Sequence, residues 1–164
     1  MLSLLTFSAG LYSQQKIGYI DSKVILENFQ DARDAQANLD NLVTKWKSEL
    51  QILADSLLLM KDDFEKKKLI LTENVRKQKE TEISGLEKRI SDFRQEKFGE
   101  NGEYFKKQNE LMKPVQDRIF KAIQDVAREG GYDFVIDRST QLLLVYMNDK
   151  YDLTQKVIRK LESQ

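Results

Sequence analysis

Residues 39–64 read LDNLVTKWKSELQILADSLLLMKDDF. In this stretch Leu39, Leu42, Trp46, Leu50, Leu53, Leu57, Met60 and Phe64 recur at steps of 3, 4, 4, 3, 4, 3 and 4. Such steps stack side chains on one face of a helix. Sustained at a mean near 3.5, they make the heptad seam of a coiled coil. The wide step from Trp46 to Leu50 marks a stutter in that seam. No Gly or Pro interrupts the chain from Asp21 to Gly85, so one long helical region is expected.

A seam needs a partner, and the chain supplies one downstream. Ile83, Leu86, Ile90 and Phe93 continue the pattern. So do Met112, Val115, Ile119, Ala122 or Ile123, and Val126, until Gly130-Gly131 ends the helix. Outside this region the period falls to two. Lys16–Asp21 (KIGYID) reads as a strand, with Asp21 or Ser22 capping a short helix and Asp31 offering a second cap. Tyr132–Asp137 (YDFVID) and Leu142–Met147 (LLLVYM) read as two further strands joined by a polar turn, the second apolar on both faces and so expected to be buried on both. Asp152 should cap a closing helix in a capping box with Gln155, its buried stripe being Leu153, Val157, Ile158 and Leu161.

If the two strand regions share a sheet, the helical region must go out and return. Equal arms put the reversal near residue 76, where Leu69-Ile70-Leu71-Thr72 offers a turn and Thr72 a cap. The breaker Phe98-Gly-Glu-Asn-Gly102 lies far from that midpoint and reads as an interruption within the return arm, which Pro114 should kink. An arm of about 45 residues extends roughly 65–70 Å. The fold class is therefore α+β and mostly α. Residues 16–30 and 131–164 form a small β body with short helices, and 31–130 form a long antiparallel hairpin arm with its tip near 66–76. Three short strands and one two-helix arm leave open edges, so a homo-oligomer sharing its β body is expected.

Residues 1–15 carry no charge and are rich in Leu. They read as the apolar part of a secretory signal, residues 1–13, cleaved after Ser13 or alternatively after Gly10. No Lys or Arg precedes it, which predicts a start codon further upstream. The remaining chain holds 27 Lys plus Arg against 27 Asp plus Glu. Balanced charge lacks the basic excess on which nucleic-acid coating depends, and no nucleic-acid partner is expected. Without His or Cys there is no Cys/His zinc site, Cys nucleophile, His base or disulfide. Asp133 and Asp137 read as strand-end polar residues rather than as an acid and base. Residues 148–152 lack the Gly and distal Glu of a calcium loop. No catalytic, cofactor or metal site is expected, and the chain does not read as an enzyme.

Two features suit binding. Leu57-Leu58-Leu59-Met60 points four apolar side chains in four directions, and a two-helix seam covers only some of them. Leu58, Leu59 and Met60 are therefore candidate client contacts. At the tip, Lys66, Lys67, Lys68, Arg76, Lys77 and Lys79 face only Glu73 between residues 66 and 79. That local excess suits an anionic lipid surface or an acidic segment.

With these residues in hand, the chain resembles the Skp/OmpH family of periplasmic chaperones. The resemblance rests on KIGYIDSKVILENF at 16–29, the coiled-coil middle, EKFGENGEYFKKQNELMKPVQDRIFKAI at 96–123, and YDFVIDRSTQLLLVYMNDKYDLTQKVIRKL at 132–161. It implies a periplasmic homotrimer, jellyfish-like, with a β body and three helical tentacles around a cavity. Such trimers hold unfolded outer-membrane proteins without ATP until the barrel-insertion machinery receives them. Ile17, Tyr19, Phe134, Ile136, Leu142, Leu144 and Tyr146 would form the shared body. The best-known members are strongly basic, whereas this chain balances at a pI near 6.4, which weakens any attraction to anionic lipid. A structural or adaptor coiled coil of the envelope is the competing reading, and a plain rod has no need of the terminal strands.

Overall fold

The computed structural model describes residues 14–140 and 144–163, so the expected signal at 1–13 and Leu142 lie outside the described residues. The chain divides into two units: residues 1–29 with 118–164, and residues 30–117.

The first unit is a small α/β structure. Strand β1 (Ile17–Ile20) pairs in parallel with β2 (Phe134–Asp137), Ile17 opposite Phe134 and Ile20 opposite Asp137. Parallel strands need a crossover, and here everything between them serves as one. Helix α1 (Ser22–Asn28) starts on Asp21, whose carboxylate accepts the Val24 N–H at 3.1 Å. Helix α5 (Thr154–Glu162) packs against α1, and Val157, Ile158, Leu161 and Leu153 are buried as their spacing predicts. Gly18 is required by close approach, since a Cβ there would lie 2.7 Å from Leu153 Cδ1.

Two expectations for this unit fail. The described part of Leu142–Met147 forms no strand; it is irregular, with a bend at Val145, and leads to a 3₁₀ turn at Asp149–Tyr151. The edge of β1 away from β2 is occupied instead by residues 152–153, through the Tyr19–Asp152 bridge and the Leu153 N–H donated to the Tyr19 carbonyl at 2.8 Å. Leu144, Val145 and Tyr146 are consequently exposed rather than buried on both faces. The capping box also does not form. Asp152 accepts the Thr154 N–H two residues on, at 2.8 Å, and the helix begins one residue later than expected.

The second unit is a helical hairpin. Helix α2 (Gln30–Lys67) runs 38 residues, about 57 Å. Asp31 lies in its first turn, where it suits the positive helix end, and not at the cap. A turn at 68–72 leads into α3 (Glu73–Phe98), and Thr72 occupies the cap position without a side-chain bond. The pairs Trp46–Phe98 and Lys61–Glu87 are centred on residues 72 and 74, so the helices are antiparallel. Every residue of the 39–64 seam is buried or half-buried.

Gly99 ends α3, Asn101 adopts φ 59°, and α4 (Glu103–Glu129) follows, with Pro114 inside it. The break is braced: Trp46 meets Phe98 edge-to-face at 5.9 Å, and Lys97 bridges Glu96 and Glu103 at 2.8 and 3.0 Å. At its far end α4 closes in a Schellman turn. Gly131 at φ 62° lets Tyr132 N–H reach the Ala127 carbonyl at 2.9 Å, and Gly131 N–H the Arg128 carbonyl at 3.2 Å.

Candidate functional site

Four helical residues in a row decide the surface of the hairpin. Leu57 and Met60 turn into the seam and are half-buried, whereas Leu58 and Leu59 are 67% and 69% exposed. Ile52 joins them at 62%, seven residues before Leu59 and so on the same face of α2. The sequence reading missed Ile52 because it lies between the seam positions Leu50 and Leu53. Isolated exposed aliphatics are ordinary; three within eight residues of a helix whose open side is otherwise polar or charged form a patch.

Leu58 also borders a groove of about 450 Å³ between α2 and α3. Ala54, Leu57, Leu58 and Ile90 supply its apolar lining, and the Lys61–Glu87 ion pair, at 2.5 Å, and Arg94 supply its polar rim.

The tip differs from its sequence reading. Lys66 pairs with Asp62 and Lys67 with Asp63, each at 2.5 Å; Lys68 pairs with Glu65, Arg76 with Glu73, and Lys79 with Glu82. Of the six basic residues only Lys77 has no acidic partner among the described residues. A helix places partners three or four positions away, just outside the 66–79 window. From 62 to 82 the chain carries six basic and six acidic residues. Hydrogen bonds donated to these carboxylates hold Lys66 and Lys79 above their ordinary values, with Asp62 and Glu82 as the first cause respectively. What the tip does display is apolar: Leu69 and Ile70 are 91% and 84% exposed.

In the α/β unit Tyr19 is buried and Ile136 half-buried, whereas Ile17, Phe134, Leu144 and Tyr146 are exposed. An open groove of about 640 Å³ runs beside β1, bordered by Ile17, Tyr19, Leu144 and Tyr146. The acidic residues here are structural. Asp133 accepts the Lys16 N–H at 2.7 Å. Asp137 accepts from the N–H groups of Ser22 and Ser139, at 3.1 and 2.9 Å, and from the Ser139 hydroxyl. Burial pushes the Asp137 carboxyl up, but these bonds outweigh it and hold the group below its usual value. Asp21 is held low first by the Arg138 side chain at 2.9 Å and then by Val24 N–H. Tyr19 is raised by burial, with Asp152 and Asp149 adding to it. Among the described residues, no group of three or more acidic side chains could hold a metal, and no helix is long and apolar enough to cross a membrane.

A long charged hairpin with uncovered aliphatics, on a chain that also folds a small α/β unit, defines a helical-hairpin protein built for contact. The chain belongs to the OmpH-like outer membrane protein family, whose model matches residues 16–161. It is similar to an uncharacterized protein of Aquifex aeolicus (strain VF5), 24% identical over 160 residues, covering 98% of this chain and 94% of the relative. Its fold is similar to a crystal structure from Caulobacter crescentus CB15, described as a candidate outer membrane chaperone (OmpH-like). That match has a TM-score of 0.76 at 15% identity and covers 92% of this chain and 86% of the other.

Proposed function

We propose that this protein is an ATP-independent holdase of the periplasm that keeps unfolded outer-membrane proteins from aggregating. The observation that carries the reading is the uncovered set of Ile52, Leu58 and Leu59 on a helix that is otherwise polar and charged on its open side. A rod that only spaced two envelope components would gain nothing from leaving these aliphatics in water. Many weak apolar contacts hold an unfolded chain through multivalency and release it when it folds elsewhere.

A homotrimer sharing its α/β units would give three hairpin arms and a cavity between them. The exposed Ile17, Phe134, Leu144 and Tyr146 support such an assembly, because a second copy would remove them from water. At the tips, paired charges leave only a weak electrostatic attraction for anionic lipid.

The test is dilution of a denatured outer-membrane barrel protein with and without this protein, followed by light scattering. Suppressed scattering at molar excess is expected, and unchanged scattering overturns the reading. Replacing Leu58 and Leu59 together by Gln should weaken suppression while sedimentation still shows the same oligomer. Removal of 132–164 should abolish the trimer, and a truncated chain that sediments as a trimer would place assembly in the coiled coil.

A further inference from the structure

The groove beside Leu58 has a chemical asymmetry. Its lining from Ala54, Leu57, Leu58 and Ile90 is apolar. On its rim Lys61 and Glu87 neutralise one another at 2.5 Å. Arg94 does not share in this. Its helical neighbours at three and four positions are Ile90, Ser91, Lys97 and Phe98, so α3 offers it no carboxylate. The acids closest to it in α3 and on the groove rim are engaged elsewhere: Asp92 with Lys88, Glu96 with Lys97, and Glu87 with Lys61. Arg94 has no acidic partner among the described residues and remains exposed; Lys45, Lys47, Lys77 and Arg89 share that state, but of these five it is Arg94 that borders the groove. An apolar trough with one uncompensated guanidinium on its rim is complementary to an apolar side chain standing next to a carboxylate. Arg is suited to that task, because its planar fork takes a carboxylate through two donors and its face stacks on an aromatic ring.

We propose that this groove is a subsite for unfolded polypeptide, taking an apolar or aromatic side chain in the trough and a neighbouring Asp or Glu on Arg94. The inference rests on the holdase reading and deepens it. The patch supplies affinity without sequence preference, and the Arg94 groove adds a preference for segments in which apolar and acidic residues adjoin. The preference is small. A partly exposed Arg–carboxylate pair contributes about three-fold in affinity, repeated wherever the client offers the pair to another copy of the groove.

The experiment uses the full-length protein and short fluorescein-labelled peptides that differ only in a central Phe-Asp, Phe-Lys or Ser-Asp pair, with binding read by anisotropy. Phe-Asp should bind about three-fold tighter than Phe-Lys at low salt, with the gap closing at high salt. Arg94→Gln should equalise the two, Arg94→Glu should reverse their order, and Leu58→Gln should weaken both. An unchanged Phe-Asp to Phe-Lys ratio in Arg94→Glu overturns the subsite. So does Ser-Asp binding as well as Phe-Asp, which would mean that charge alone is read. The light-scattering assay separates this from the reading beneath it. A wild-type protein that suppresses aggregation but does not discriminate among the peptides loses the subsite and keeps the holdase function, whereas one that does neither loses both.

Discussion

In the α/β unit Ile25, Leu153 and Val157 are sealed from water, and the one buried polar side chain among the described residues, Thr154, receives the Asp21 N–H at 3.0 Å. In the hairpin unit the seam from Leu50 to Phe64 is only half-buried, and of α3 only Ile90 is buried. The first unit is held by contacts between residues far apart in sequence. The second is held by helical hydrogen bonds, one seam, and ion pairs that are mostly three or four residues apart and exposed. Such pairs are worth a few tenths of a kcal/mol each. A unit of the first kind opens all at once, whereas one of the second kind can yield locally.

The contrast can be tested through Trp46, the single tryptophan, which is buried in the hairpin and so reports that unit. Leu153→Ala should cost about 3 kcal/mol, because the cavity it leaves lies in a closed core. Thermal unfolding followed by circular dichroism should show the loss. Trp46 emission measured at a temperature below the new transition should be unchanged; an altered spectrum there would mean that the two units do not respond separately. Ile90→Ala should cost less, about 2 kcal/mol, since a two-helix seam collapses around the gap more easily, and Trp46 emission should register its unfolding directly.

A third test turns on acid. Arg138 and the Val24 N–H hold ionised Asp21 below its ordinary value, so its contribution is present above the usual carboxylate pKa and is lost as pH falls through the lowered one. Asp21→Asn removes the ion pair and should cost about 1 kcal/mol at neutral pH. The urea midpoint of the variant should then fall less steeply than wild type below about pH 4. A parallel fall would remove Asp21 from the acid response. The smallest effect is at the tip, where Lys66→Ala should leave the thermal midpoint indistinguishable from wild type. A lowered midpoint would show that the exposed pairs brace the hairpin more than their geometry implies.

How much of this was readable beforehand depended on the range of the interaction involved. The seam was readable because burial along a helix follows a period, and so were the breaks at Gly99 and Gly130-Gly131, because local backbone freedom suffices to end a helix. Leu142–Met147 misled because apolar composition describes what a strand would like to bury, not whether an edge is free to receive it, and β1 had given its second edge to residues 152–153. The tip misled through a counting window that cut off Asp62, Asp63, Glu65 and Glu82, the partners one helical turn away. Leu58 and Leu59 could be singled out because four successive apolar residues overfill a seam. Ile52 was masked by the seam positions Leu50 and Leu53 on either side of it, although seven residues before Leu59 it falls on the same face. Arg94 has no acid three or four positions away, but neither do Arg33, Lys47 and Arg118, so its place on the groove became legible only with α3 set against α2.

The parallel register of β1 and β2 has a consequence for how the chain comes into being. The Lys16 N–H and the Asp133 carboxylate that join the strand ends are 117 residues apart. During synthesis, the first strand is made early and waits for a partner that emerges only after α4. Closing so long a loop from a disordered chain is slow. Here the intervening segment is itself a hairpin of local contacts that can zip as it appears, shortening the effective loop before the strands need to meet. The early strand, with Ile17 and Tyr19 unpaired until then, is a polypeptide awaiting its edge.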